Sequence, residues 1–202
     1  DGLDKTVNDE MKLFKSILEV YPMLDKYEIK IKNQFRTIYD TFFNCIGTKE
    51  GNIYINNLFV IGIILRCLNF YRGCLWAFGF HNPHVFYDAL RSHVETLALI
   101  HYCVKDPKYS DIALIGKRDH LIEDLKIKNI LTMIDKVDKK YSGIREDYNQ
   151  LSERVHPNPL SLFTNIRPLY EADGHYISIQ TRIPVTDNDH AEKYLLMLIK
   201  WT

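Results

Sequence analysis

The chain has 202 residues, and its 26 lysine and arginine residues balance its 26 aspartate and glutamate residues. Proteins that bind nucleic acid by neutralising phosphates usually carry a basic excess, so the composition argues against a surface that is basic as a whole. Hydrophobic residues make up 46% of the chain, an ordinary share for a globular protein. Length and composition together predict one helical domain over residues 1–202, with the helical assignment resting on the periodicity below.

The apolar residues recur at helical spacing through most of the chain. In chain order, the predicted helices cover about 11–21, 31–46, 53–78, 83–105, 119–139 and 143–156, with a last helix from about 188. Pro22 ends the first helix, and Gly47 closes the second. Asn82 is the predicted N-cap of the fourth helix, with Pro83 at its first position, and Ser142 is the predicted cap of the sixth.

The third predicted helix contains a strongly apolar run, from Leu58 to Leu65. A membrane span needs about 20 mainly apolar residues. Here Arg66, Asn69 and Arg72 follow too soon after the run. We therefore expect a core helix and no membrane partner.

The periodicity changes near the C-terminus. The segment "YISIQTRI" alternates apolar and polar residues, as a half-buried strand does, and Asp173-Gly174 before it is a strong hairpin-turn signal. Pro168 in the preceding segment favours an edge strand or a bulge. The sequence thus predicts a mainly α fold: a helical bundle with one C-terminal β-hairpin, at about 161–183, and a final helix.

The cysteines and histidines form no recognisable metal or disulfide motif. The four cysteines include no CxxC pair and the eight histidines no HExxH. Each cysteine lies in an apolar helical pattern, which is typical of buried free thiols in a reducing compartment. We therefore expect a cytoplasmic protein without a metal or another cofactor. Because the chain starts at Asp1 and stops at Thr202, we also expect a fragment of a longer protein.

Two charged residues stand out in the fourth predicted helix, which is apolar almost all round from Val94 onward. Arg91 and Glu95 lie one turn apart on the same side. A buried charge costs several kcal/mol unless it is paired, so Glu95 should be buried and bonded to Arg91 or to Arg66. Antiparallel packing of the third and fourth helices would bring Arg66 to the same level. Arg91 and Glu95 either form a structural ion pair or line a polar pocket for an acidic ligand.

A second set of polar residues lies in "DYNQLSERVHPNP". Tyr148, Ser152 and His156 follow one another at four-residue intervals at the end of the sixth predicted helix. Histidine is the side chain best suited to proton transfer near neutral pH. Alternatively, His156 is a C-terminal histidine that interacts with the last carbonyl groups and the helix dipole.

The segments "LRSHVETLALIHYCVKDP" and "YNQLSERVHPNP" together resemble helical domains of bacteria related to the HEPN superfamily. In those domains an Arg-x-x-x-Glu helix precedes a Tyr-x-x-x-Ser-x-x-x-His segment. The resemblance covers about residues 55–160 and implies a helical bundle that cleaves RNA or binds nucleotides in phage defence or toxin systems. The HEPN nuclease signature places histidine four to six residues after arginine, whereas Arg154 is two residues and Arg145 eleven residues before His156.

Two functions follow as hypotheses. In the first, the chain is a metal-independent ribonuclease with His156, Glu95 and Arg91 as catalytic residues and RNA or a nucleotide as partner. Its binding residues would be Arg66, Tyr148 and Ser152. In the second, the chain is a non-catalytic binding or assembly module that associates with other domains or forms a homodimer. The polar cluster is then structural.

Overall fold

The computed structural model describes residues 2–46, 55–80, 82–105, 127–139, 142–155, 166–171, 174–179 and 188–202. Within these ranges the protein is mainly helical, which confirms the predicted class. The helices are α1 Gly2–Val20, α2 Glu28–Ile46, α3 Ile55–Gly79, α4 Pro83–Lys105, α5 Ile127–Asp138, α6 Ile144–Val155 and α7 Asn188–Lys200. A 3₁₀ helix, Pro22–Tyr27, joins α1 to α2.

Helix α1 begins at Gly2, well before the predicted start near Met11. The first turns are polar, so the helical period is weak there in the sequence. The buried residues Val7, Met11 and Phe14 nevertheless follow at helical spacing and hold these turns against the core. The predicted start of α5 near Asp119 lies outside the described residues.

The two predicted N-caps have different outcomes. Asn82 Oδ1 accepts a hydrogen bond from the Val85 backbone N–H at 3.2 Å, so the predicted cap of α4 is confirmed. Helix α6 is capped by Asp138 rather than by Ser142. Asp138 Oδ1 accepts hydrogen bonds from the N–H groups of Gly143 and Arg145, both at 3.0 Å. The short turn brings the end of α5 over the start of α6, and a carboxylate suits that helix terminus better than a hydroxyl.

Helices α3 and α4 lie side by side and antiparallel at the centre of the fold. Ala89 Cβ lies 3.7 Å from the Cβ position of Gly73, while Arg66 hydrogen-bonds to Thr96, so rising numbers on α4 match falling numbers on α3. Helices α1, α2 and α7 pack against this pair, and the five helices together bury one apolar core. Its large side chains include Phe14, Ile17, Phe35, Tyr71, Leu75, Phe78, Phe86, Leu90, Leu195 and Leu198. Burial of this apolar surface is the main stabilising term of the fold.

Helix α3 is apolar on both its inner and its outer side. The prediction of a core helix is confirmed for the face that carries Leu68, Tyr71 and Leu75, which are buried. Its residues Leu58–Gly79 are also long and apolar enough to cross a membrane, and 33% of the most apolar window is buried in the fold. No other described helix meets that criterion. The expectation of no membrane partner stays a prediction.

Two of the cysteines that were predicted to be buried are buried, and a third is only partly so. Cys67 and Cys74 are buried, and burial raises the pKa of Cys67 to about 11, which makes this thiol unreactive at neutral pH. Cys45 on α2 is only partly buried, because it sits near the end of the helix beyond the main packing contacts. The side chain of Cys103 lies outside the described residues.

Two short strands, β1 Ile166–Glu171 and β2 Gly174–Ile179, pair antiparallel. The register places Ile166 opposite Ile179 and Glu171 opposite Gly174. Gly174, which was predicted in the turn, is the first residue of β2, and Asp173 lies outside the described residues. The wider hairpin over 161–183, as a part of the domain, stays a prediction.

Candidate functional site

The predicted charged pair on α4 forms. Arg91 Nε lies 3.2 Å from Glu95 Oε1, and the side chains are 17% and 19% exposed. The expectation that Glu95 is paired is therefore confirmed, whereas full burial is wrong. The pair sits at the edge of the core, where α4 faces α6, so that part of each charged group still reaches solvent.

Tyr148 of α6 joins this pair and completes a triad. Its hydroxyl donates a hydrogen bond to Glu95 Oε1 at 3.0 Å and accepts one from Arg91 Nη2 at 3.3 Å. The Arg91 guanidinium also lies 5.5 Å from the centre of the Tyr148 ring, within cation–π range. Tyr148 is itself buried, in line with Ile144 and Leu151 on the core side of α6. The triad thus links two helices that are far apart in sequence.

Arg66 of α3 contacts the residue next to Glu95 but does not join the triad. Its Nε donates to Thr96 Oγ1 at 3.0 Å, and its guanidinium lies 4.7 Å from the ring centre of Phe70. Thr96 is buried on the side of α4 that faces α3, whereas Glu95 is one residue round the helix towards α6. The helical rotation of about 100° per residue therefore separates Arg66 from Glu95.

Ser152 and His156 are the remaining predicted site residues. Ser152 lies one turn after Tyr148, and its Oγ is buried without a hydrogen-bond partner among the described residues. Buried hydroxyl groups usually have a partner, so this atom is an exception that asks for an explanation. His156 lies outside the described residues. The position of the imidazole relative to Arg91 and Glu95 therefore stays a prediction.

A second triad of the same composition, which the sequence did not reveal, joins α1, α2 and α3. Arg72 Nε lies 2.9 Å from Glu10 Oε1, and Tyr39 donates a hydrogen bond to the same oxygen at 2.5 Å. Burial, followed by the Glu10 hydrogen bond, raises the pKa of Tyr39 to about 12. Arg72 follows the apolar run of α3 and could have been noticed on that ground. Its partner Glu10 lies 62 residues away and has no signal in the sequence.

His93 is a further buried polar group. It is 1% exposed, and its Nε2 lies 3.1 Å from Thr202 Oγ1 near the end of α7. Burial lowers the pKa of His93 to about 4, so the imidazole is neutral at physiological pH. It lies between α4 and α7 in the core and acts there as a hydrogen-bonding core residue.

Within the described ranges, no three histidine, cysteine, aspartate or glutamate side chains form a group that could hold a metal ion. A cavity with a volume of about 160 Å³ lies elsewhere, between α4, α6 and α7. Comparison of the chain with models of known protein families, with curated proteins and with solved structures finds no match.

Proposed function

We propose that this chain is a HEPN-like helical assembly domain in which the Arg91–Glu95–Tyr148 triad is structural. The observation that carries the proposal is the recurrence of this triad. Arg72, Glu10 and Tyr39 repeat the same trio of side chains, with the tyrosine donating to the carboxylate that the arginine pairs with. Each trio joins helices at the rim of the core. A catalytic role would not require the second copy, whereas a helix-joining role accounts for both.

The surface that we propose for assembly is the outer stripe of α3. Exposed residues at helical spacing share this face and the turn that follows it: Leu58, Gly62, Leu65, Asn69, Trp76 and Phe80. Trp76 and Phe80 are 53% and 63% exposed, with ring centres 4.4 Å apart. Contiguous exposed apolar surface of this kind marks interaction sites.

A second copy of the chain is the partner that we propose for this outer stripe. Two copies related by a twofold axis present the same surface to one another, so a mainly apolar stripe is complementary to itself, with Arg72 on it paired to Glu10 of its own chain. Gly62 lies within the stripe, and among the described residues nothing but the neighbouring backbone of α3 lies within 4 Å of a Cβ built there. A glycine at that position lets the backbone of a partner helix come close, which offsets its poor helix propensity.

The mass of the wild-type protein in solution, measured by light scattering after size exclusion, tests this proposal. We expect a dimer for the wild type and a monomer for Leu65→Lys, because a lysine in the stripe would be buried unpaired. Ile29→Lys is the matched control, since Ile29 is 76% exposed on α2, and it should remain dimeric. A monomeric wild type contradicts the homodimer. Binding to phosphatidylcholine vesicles that is lost in Leu65→Lys would instead assign the stripe to a lipid surface.

Metal-independent cleavage of RNA is the second candidate function, and it is favoured by the buried Ser152 Oγ, which has no hydrogen-bond partner in the described part of the chain. In a catalytic site this hydroxyl would hydrogen-bond to the substrate or to His156, which follows four residues later in the sequence. His156→Ala should then reduce the cleavage of single-stranded RNA by about 100-fold or more, with little change in melting temperature. A lower melting temperature without any cleavage by the wild type would assign His156 to the fold. An active and stable His156→Ala protein excludes it from catalysis.

A further inference from the structure

The cavity between α4, α6 and α7 combines an aromatic wall with a cationic mouth. Its residues include Tyr87 from α4, Leu151 and Arg154 from α6, and Lys193, Tyr194 and Met197 from α7. Tyr87, Leu151 and Tyr194 are buried and form the inner wall. The two tyrosine rings meet edge to face, with centres 5.2 Å apart. A flat, apolar wall of this kind accepts an aromatic ring.

The size of the cavity limits the ligand. Its volume is about 160 Å³. A cavity of about 150 Å³ with an apolar lining holds one benzene molecule. The aromatic part of a ligand is therefore one ring, and a purine with its sugar does not fit inside.

The charges at the mouth favour an anion. Arg154 lies with its guanidinium 6.0 Å from the Tyr87 ring centre, and Lys193 is exposed one residue before Tyr194. Within the described part of the chain, neither cation lies in an ion pair. Glu153 also lines the mouth, so two cations outweigh one carboxylate there.

Tyr87 is uncharged on the inner wall. Burial and the neighbouring Tyr194 phenol raise the pKa of Tyr87, so its hydroxyl keeps its proton at any physiological pH. The wall therefore stays uncharged, and the guanidinium of Arg154 offers donors in a planar array to an anionic oxygen.

We propose that this cavity binds a small anionic molecule with a single planar ring, whose phosphate or carboxylate group lies at Arg154 and Lys193 and whose ring lies against Tyr87 and Tyr194. This site is separate from the triads and from the outer stripe of α3, and it does not depend on the proposed function. A monocyclic aryl phosphate and a monocyclic aryl carboxylate share the chemistry that the cavity recognises.

A titration observed on the ligand by saturation-transfer NMR tests the proposal, with phenyl phosphate and benzoate as probes and the whole chain as receptor. We expect a Kd on the order of 1 mM for at least one of them, as befits about ten non-hydrogen atoms. Inorganic phosphate and phenol are the comparison ligands, and each should bind at least about tenfold more weakly because it lacks the ring or the anion.

Variants then assign the binding to this cavity. Arg154→Gln should weaken the better probe by about tenfold or more, and Lys193→Gln, at an exposed position that the fold does not need, should weaken it in the same direction. Lys32→Gln on α2 removes an equally exposed lysine and should leave binding unchanged. The proposal is overturned by the absence of binding at tens of millimolar, by equal binding of inorganic phosphate or phenol, or by unchanged affinity in both cavity variants.

Discussion

The Tyr148 hydroxyl of α6 donates a 3.0 Å hydrogen bond to the carboxylate of Glu95 on α4. The same carboxylate oxygen lies 3.2 Å from Arg91 Nε. One carboxylate oxygen thus accepts a hydrogen bond from a phenol on one helix and forms an ion pair with a guanidinium on another. This arrangement fixes how α6 is rotated against α4, because Tyr148 reaches Glu95 only when Ile144 and Leu151 face the core.

Glu95→Ala should lower the free energy of unfolding by about 2 kcal/mol. The substitution leaves Arg91 without its counter-ion and Tyr148 without its acceptor, although partial exposure of the pair moderates the cost. Denaturant titration measures the loss. Glu19→Ala, at an exposed position of α1, is the control and should change stability by less than about 0.5 kcal/mol. Equal effects of the two substitutions would falsify the structural role of the triad.

The stability should fall with acid because of His93. The pKa of His93 is about 4 in the folded chain against an ordinary value of 6.5, so below pH 6.5 the unfolded chain takes up a proton that the folded chain does not. The contribution of this residue is full above pH 6.5 and is lost progressively between pH 6.5 and about 4. The total loss is on the order of 3 kcal/mol.

Urea titrations at several pH values with His93→Gln check the pH dependence. This variant should show a flatter pH dependence of unfolding free energy between pH 6.5 and 4, whatever its stability at neutral pH. His84→Gln, which removes an exposed histidine from the same helix, should keep the slope of the wild type. A wild-type slope in His93→Gln would mean that another group causes the acid sensitivity.

Asp138→Ala should destabilise the fold by about 1 kcal/mol, because the N–H groups of Gly143 and Arg145 would lose their acceptor at the start of α6. Ser142→Ala should have a smaller effect, since Ser142 does not cap this helix. Thermal unfolding of both variants gives the comparison. The reverse order of the two melting temperatures would restore Ser142 as the cap.

Gly62→Ala should stabilise the monomer by up to about 1 kcal/mol, because alanine has the better helix propensity and no described atom outside the neighbouring backbone of α3 lies within 4 Å of the new Cβ. Gly143→Ala should instead cost about 1 kcal/mol, since Gly143 has a φ of +96°. The measurement uses dilute protein, so that the unfolding of the monomer is compared between each variant and the wild type. Chemical unfolding should move the two midpoints in opposite directions.

The sequence by itself determined the features that depend on neighbouring residues. Asn82 and Pro83 set the start of α4, because an N-cap and a proline act on the adjacent turn. Ala191, Tyr194, Leu195 and Leu198 set the buried face of α7, because a helical period repeats within a few residues. The Arg91–Glu95 pair also followed from its spacing of four residues.

Only the tertiary structure decided which polar residues meet across helices. Tyr148 reaches Glu95 over 53 positions and Arg72 reaches Glu10 over 62, while Arg66, predicted beside Glu95, bonds to Thr96 instead. These contacts depend on the rotation of each helix about its axis, which the packing of whole apolar faces sets. A single residue step turns a side chain by about 100° and changes its partner, and no local pattern records that rotation.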